Sequence, residues 1–423
     1  MKLTQTWRQA FCLAALMLMA ACGGQTNEVP PPTSQTSLNP QPTLSEATSV
    51  SLPTETVASA TVTTLPPPVQ NTPTTILATA PPPTPGVTPT ILPEPEEAEP
   101  GAAIPGLIGP DIPDNVNPFT GLEVTDPAIL DRRPILIKVT NSGAVVRPQS
   151  GLSDADFVWE HLSEGGLTRF TAMYYGHDSS LVGPVRSGRI IDTHLPKLFD
   201  AAFSYSGASN EVKFMFRHGL FFERVISPDF GHGGFWRDYD IGNPNKPGWE
   251  TLYTNTDTMR DILVSRAENT RPEFESNMVF REEPFGQGTP VDSIEIRYSG
   301  TNVYWEYGEA GNDYLRWVDG TAHLDANNNQ QLRSDNVMVL YIRHELTDIV
   351  EDSNGSLSID IWMWEQGPVI LYRDGQKFEG VWDRTHVNGM LQFRDTDGNL
   401  MPLKPGTTWF QVVPLDFTGL IEG

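Results

Sequence analysis

Beyond residue 110 the chain alternates short apolar runs with glycine-rich polar turns, and the rhythm changes once, near residue 285. Residues 135–139 form an apolar run of strand length. The runs 157–161 and 167–175 follow, separated by the turn sequence Ser163-Glu164-Gly165-Gly166. The pattern then predicts a helix over 190–199, a strand over 201–205 and a second helix over 210–218. Val212, Phe214, Met215 and Phe216 are expected to form the buried side of that second helix. A long Gly-, Pro- and aromatic-rich loop covers 227–247, and a helix capped by Thr256 or Asp257 covers 256–266. After 285 the reading is all strand: 291–298, 303–307, 314–318, 336–343, 357–364, 369–373, 377–383, 390–394 and 407–413. Asp374-Gly375 and Asp397-Gly398 mark hairpin turns among them. The expected fold class is α+β: an N-terminal α/β domain with a mixed sheet (111–284), then a mainly antiparallel β domain (285–423).

The first 110 residues read differently. Lys2 and Arg8 precede an apolar run at 11–19 that is too short to span a membrane as a helix, which is the layout of an export signal over 1–22. Met19-Ala20-Ala21-Cys22 resembles a bacterial lipobox, with Cys22 as the expected lipidation site; Met19 stands where leucine is commoner. Residues 23–110 are rich in Pro, Thr, Ser, Ala and Val and contain no Phe, Trp or Tyr. Such a segment buries too little apolar surface to offset chain ordering, so a disordered tether with a reach of roughly 50 Å is expected. The expected location is the outer face of the bacterial cytoplasmic membrane, with the membrane itself a partner through Cys22. The only cysteines are Cys12 and Cys22, so the folded part is expected to have no disulfide, no thiol nucleophile and no cysteine-ligated metal.

The net charge is −25, and from Asp111 onward 46 acidic residues face 26 basic ones. That field opposes nucleic acid, so any bound anion needs a local basic pocket. The candidate is the loop Gly183-Pro184-Val185-Arg186-Ser187-Gly188-Arg189, between an expected strand and an expected helix. Two guanidiniums, a hydroxyl and glycine-flanked N–H groups would converge there, with Arg169 nearby, to take a phosphate or carboxylate. The competing reading ties these arginines to Glu160, Glu164 or Asp192 in an internal network. Ser187 has no assured base beside it, and Glu160 with Glu164 could supply an acid/base pair only if their environments differ.

No metal or cofactor motif is found. His344-Glu345-Leu346-Thr347-Asp348 lacks the second histidine of a zinc helix. The Asp325-Ala326-Asn327-Asn328-Asn329 stretch lacks the glycine and the closing glutamate of a calcium loop. The tryptophans Trp236, Trp249, Trp305, Trp317, Trp362, Trp364, Trp382 and Trp409 offer sugar-stacking platforms if exposed and core packing if buried.

The runs RPQSGL, ADFVWE, EGGLTRF and GPVRSGR resemble the YerB-like family of bacterial lipoproteins. So do Trp236-Arg237-Asp238, GQKFEGVWDR and DGNLMPLKPGTTWFQVVP. The resemblance spans nearly all of 117–414 and implies a membrane-anchored extracytoplasmic protein with N- and C-terminal modules. It implies no reaction and no cofactor. In that family pattern a Pro-His-Asn-Leu-Tyr run follows Trp-Arg-Asp. Here Pro247-Gly248-Trp249-Glu250-Thr251-Leu252-Tyr253 stands instead, so a catalytic histidine does not carry over. Three readings follow: a binder of an anionic or glycan envelope ligand at the GPVRSGR loop, a wall-polymer hydrolase or transferase using Glu160 and Glu164 with Arg186 and Arg189, or a structural partner of another envelope protein.

Overall fold

The computed structural model describes residues 106–274, 278–384 and 389–423. The export signal, Cys22 and all but the last five residues of the expected tether lie outside the described residues. Among the described residues the central sheet has eleven strands; ten follow one another in the chain order β1 (Ile135–Asn141), β2 (Phe157–Leu162), β3 (Thr168–Tyr174), β4 (Ala202–Ser204), β5 (Val225–Ile226), β6 (Asn336–Ile342), β7 (Glu365–Arg373), β8 (Gln376–Arg384), β9 (Gln392–Asp395) and β10 (Thr408–Pro414), and the short Thr289–Pro290 pairs with β8 off this path. In space they stand as β9-β8-β7-β6-β10-β2-β3-β1-β4-β5. The hairpin between β7 and β8 turns on Asp374-Gly375, both at positive φ (54° and 68°), as the sequence predicts.

The expected boundary at 284/285 does not interrupt this sheet. β10, near the C-terminus, lies parallel to β2 on one side and parallel to β6 on the other. Strands from both modules therefore share one continuous set of backbone hydrogen bonds. A second sheet of six strands stacks Thr321–Ala322, Asp313–Val318, Thr301–Gly308, Ser293–Tyr298 and Leu420–Glu422, with Arg333–Ser334 at its side.

Both faces of the central sheet are buried, and side chains alternate between them. Phe157 and Trp159 of β2 join a core with Ile190, Leu195, Phe199, Val212 and Phe216. Val158 of the same strand joins the opposite core with Met259, Ile294, Val303 and Trp305. The first face is covered by helical segments and the second by the smaller sheet and the helix Thr256–Ser265.

Three elements depart from the sequence reading. The helix expected over 190–199 is a 3-10 turn (Ile190–Thr193) followed by a four-residue helix, α1 (Leu195–Leu198). Pro196 has no N–H to give the carbonyl of Asp192, so one continuous helix cannot form. Helix α2 (Asn210–His218) forms where expected, but only Val212 and Phe216 are buried. Phe214 is 62% exposed and Met215 is exposed too. The cap of α3 (Thr256–Ser265) is Asn255, whose side chain accepts from the Thr258 N–H.

Candidate functional site

The loop 183–189 runs between β3 and α1 under close constraint. A Cβ on Gly183 would stand 2.7 Å from the Tyr253 ring, and one on Gly188 2.8 Å from the Phe216 ring. Its glycines thus serve tight packing. Most of its N–H groups are spent inside the protein. Gly183 donates to Ser150, Val185 to Leu252, Arg186 to Lys138 and Gly188 to Gly207, all at backbone oxygens. The Arg189 N–H donates to Asp192 Oδ2 at 2.7 Å. With no long helix behind it either, the loop is not the ready-made anion cradle the sequence suggested.

The arginines divide in the same sense. Arg189 is buried and makes a bidentate pair with Glu164, Nε to Oε1 at 2.5 Å and Nη2 to Oε2 at 2.6 Å. Its Nη1 donates to the Gly188 carbonyl, and Glu351 stands 3.5 Å away. Arg169 donates to the Ser187 carbonyl at 2.9 Å and lies 3.6 Å from Glu164; burial and the neighbouring Arg189 charge pull it down to about 9. Burial pushes the Glu164 carboxyl up, but the hydrogen bonds and charge of Arg189, with Arg169, outweigh it and hold the group below its usual value. Arg186 keeps spare capacity. Its Nε lies 3.1 Å from Glu250, the side chain is 24% exposed, and its Nη groups have no hydrogen-bond partner among the described residues.

Beneath the loop lies a wholly buried polar cluster on the same sheet face. Lys138 Nζ of β1 contacts Asp192 Oδ1 at 2.8 Å, Thr171 Oγ1 at 2.9 Å and His161 Nε2 at 2.5 Å. Burial lowers Lys138 to about 8, and burial with the Lys138 charge drives His161 well below its ordinary value. Each of the three ammonium protons has an acceptor, so the cluster fixes the loop from below and offers nothing outward.

Glu160 and Glu164, expected as an acid/base pair, belong to separate networks. Glu160 points to the opposite face, where Oε2 accepts from Arg316 at 2.6 Å, from Trp409 at 3.1 Å and from Gln411 at 3.1 Å. Its Oε1 accepts from Thr168 at 2.8 Å. Arg316 is itself stacked over Trp409, Trp305 and Phe170. Glu160 is fully buried and has no access to a substrate. Both carboxylates are structural, because each is neutralised by a buried guanidinium. Asp325, which opens the calcium-like stretch, likewise spends its carboxylate on Gly151, Ser153 and Asn327.

One cation-lined cleft does open beside the loop, and the sequence reading did not include it. Asn210, Lys213, Phe214 and Arg217 of α2 face Asp229 and Phe230 across a cleft of about 310 Å³. The Arg217 guanidinium sits 5.2 Å from the Phe230 ring centroid. Among the described residues neither the Lys213 nor the Arg217 side chain is held by a hydrogen bond or salt bridge. Burial pushes the Asp229 carboxyl up against the pull of Lys213. The Gly207 N–H donates to Asp229 Oδ1 at 3.2 Å. A Cβ on Gly207 would in turn stand 3.0 Å from Ser187 Oγ, so cleft and loop are neighbours. The signal was present in the sequence: Val212 and Phe216 are four apart, as are Lys213 and Arg217 one position on, which places two cations on the adjoining helix face.

On the loop's other flank, the segment 236–253 is tied down by the hydrogen bond from Val185 to Leu252 and by the Arg186–Glu250 pair. It presents Trp236, Tyr239 and Trp249 to solvent, with Trp249 62% exposed. Trp305, Trp382 and Trp409 are core residues.

Residues 119–270 match the family described as "Protein of unknown function (DUF3048) N-terminal domain", and residues 294–410 match its C-terminal counterpart. The chain belongs to this family. It is 29% identical over 311 residues to "Putative lipoprotein YerB" of Bacillus subtilis (strain 168), covering 72% of this chain and 88% of that protein. The fold matches the crystal structure of the Bacillus subtilis YerB protein with a TM-score of 0.61 and 26% identity, over 73% of this chain and 99% of that one. Among the described residues no helix is long and apolar enough to cross a membrane.

Proposed function

We propose that the protein is a lipid-anchored extracytoplasmic binder of an anionic envelope glycan, held at the outer face of the membrane through Cys22. The observation that carries this reading is the cleft of Lys213, Arg217, Phe214 and Phe230: two cations without a salt-bridge partner among the described residues, beside two phenyl rings, in a molecule whose net charge is −25. A phosphate or carboxylate would pair with the cations, sugar faces would stack on the rings, and Asn210 with Asp229 would bond ring hydroxyls. The exposed Trp236, Tyr239 and Trp249 support the glycan part of the reading. Arg186, with its open Nη groups, is a further anchor on the loop itself.

The test is calorimetric titration of the protein with phosphate-bearing wall-glycan fragments and with neutral chitooligosaccharides. The anionic fragments are expected to bind and to lose at least ~10-fold in affinity in Lys213→Ala/Arg217→Ala, since each charge-assisted contact is worth ~1.5–3 kcal/mol. Equal binding of the neutral glycans, or an unaffected double variant, would overturn the assignment.

A further inference from the structure

The α2 cleft holds charges of both signs, and among the described residues no salt bridge joins them. Asn210, Lys213, Phe214 and Arg217 recur at intervals of three and four residues, so they form one stripe along α2. That wall is cationic. The facing wall is the 3-10 turn Pro228–Phe230, which carries Asp229 and Phe230. The turn is fixed from within: the Asp229 N–H donates to Ser227 Oγ at 3.2 Å, and Gly231 closes it at a φ of 77°. Asp229 and Arg217 are exposed and Lys213 is half-buried, so all three charges are open to a ligand.

The Asp229 carboxylate is the member that an anion site does not need. Its Oδ1 accepts from the Gly207 N–H at 3.2 Å. Among the described residues its Oδ2 accepts no hydrogen bond, and Lys213 attracts the carboxylate across the cleft without closing an ion pair. Toward a purely anionic ligand this carboxylate is misplaced, because it repels the group that Lys213 and Arg217 attract. The rest of the molecule adds to the repulsion, since the chain carries a net charge of −25. Both difficulties vanish when the ligand brings a cation of its own. An ammonium at Asp229 Oδ2 turns the repulsive contact into a charge-assisted hydrogen bond, and it offsets the ligand's anion against the field of the whole chain. A phosphate carries about −1.5 to −2 near neutral pH, so phosphate with one ammonium complements two cations and one carboxylate.

We propose that the α2 cleft binds a zwitterionic amino-sugar unit of a glycan, its phosphate or carboxylate on Lys213 and Arg217, its ammonium on Asp229 and its ring against Phe214 and Phe230. This rests on the anionic-glycan assignment and narrows it: the partner of Asp229 is an ammonium and not a hydroxyl.

The experiment is calorimetry on the full chain slightly below neutral pH, where a sugar amine is protonated. The probes are the methyl glycosides of glucosamine 6-phosphate, N-acetylglucosamine 6-phosphate and glucose 6-phosphate, capped at the anomeric carbon as a unit within a glycan is. They share phosphate and pyranose and differ only in carrying an ammonium, an amide or a hydroxyl. The ammonium probe is expected to bind at least ~10-fold tighter than either of the others. Asp229→Asn keeps an acceptor for the Gly207 N–H. It should erase that preference by weakening the ammonium probe alone, with the glucose probe bound as well as before or better. An amide or hydroxyl probe as tight as the ammonium one, a preference that survives Asp229→Asn, or an equal loss of all three affinities in that variant would overturn the ammonium assignment and leave the anion cleft standing. Failure of all three phosphates to bind the unmodified protein would overturn both.

Discussion

Glu160 holds five polar neighbours together: Arg316, Trp409, Gln411, Thr168 and, at 3.4 Å, Asn141. The pair joins the N-terminal module's β2 to the strand Asp313–Val318, so its loss strikes both modules. Glu160→Gln leaves the Arg316 guanidinium buried and uncompensated. We expect a loss of ~3–5 kcal/mol in urea unfolding, with ligand affinity unchanged in the fraction that remains folded. An acid/base role would predict the reverse, normal stability and a lost activity. The sequence made Glu160 and Arg189 legible as charged residues in apolar surroundings, and both readings of them were available. What decided between the readings was the identity of the residue across the gap. Arg316 is 156 positions from Glu160 in the chain, and no local pattern encodes that distance.

At the level of elements, strand positions were legible because their apolar runs are short and bounded by glycine turns. The order of strands in the sheet was not. β10 reads as one more strand of an antiparallel C-terminal domain, yet it inserts between β2 and β6 with both pairings parallel. Two-residue periodicity says which face a side chain takes and is silent on which strand lies alongside. From this insertion follows a prediction about truncation. Residues 111–284 alone leave one side of β2 unpaired and Phe157, Trp159 and Val158 without the β10 residues that cover them. That fragment is expected to lack dispersed amide resonances, and a well-dispersed spectrum would show that the modules fold independently. Helix α2 shows the complementary error. Its four apolar residues are expected on one buried side, but the 3.6-residue turn puts Phe214 on the side away from Val212 and Phe216, and Met215 at the edge of their stripe. The leftover Phe214 is what gives the cleft an aromatic wall.

For the whole molecule, histidines are held neutral inside the fold: His161 and His323 are fully buried, and His194 and His344 are partly so. His161 and His323 lie well below the ordinary value, and His194 is lowered to about 4, in each case chiefly by burial. The unfolded chain binds protons at these sites near pH 6.5 and the folded chain does not. Their contribution is fully present above that pH and is lost as the pH falls toward the folded values. The melting temperature should therefore fall between pH 7 and pH 5, and fall less in His194→Phe. A flat profile would mean that these rings are charged in the folded state. The net charge of −25 acts at the same scale. It repels anions from most of the surface, so an anionic ligand must be captured locally, and rising salt should weaken that capture.

The account turns on where the cations with spare bonding capacity are: on α2, and not at Arg189. The direct measurement is the calorimetric affinity of the protein for a phosphate-bearing wall glycan, compared between Lys213→Ala/Arg217→Ala and Arg189→Lys, each first shown to be folded. The account predicts a loss of at least ~10-fold in the double variant and no change in the folded Arg189→Lys protein. Binding that survives without Lys213 and Arg217 but fails with Arg189→Lys would contradict it.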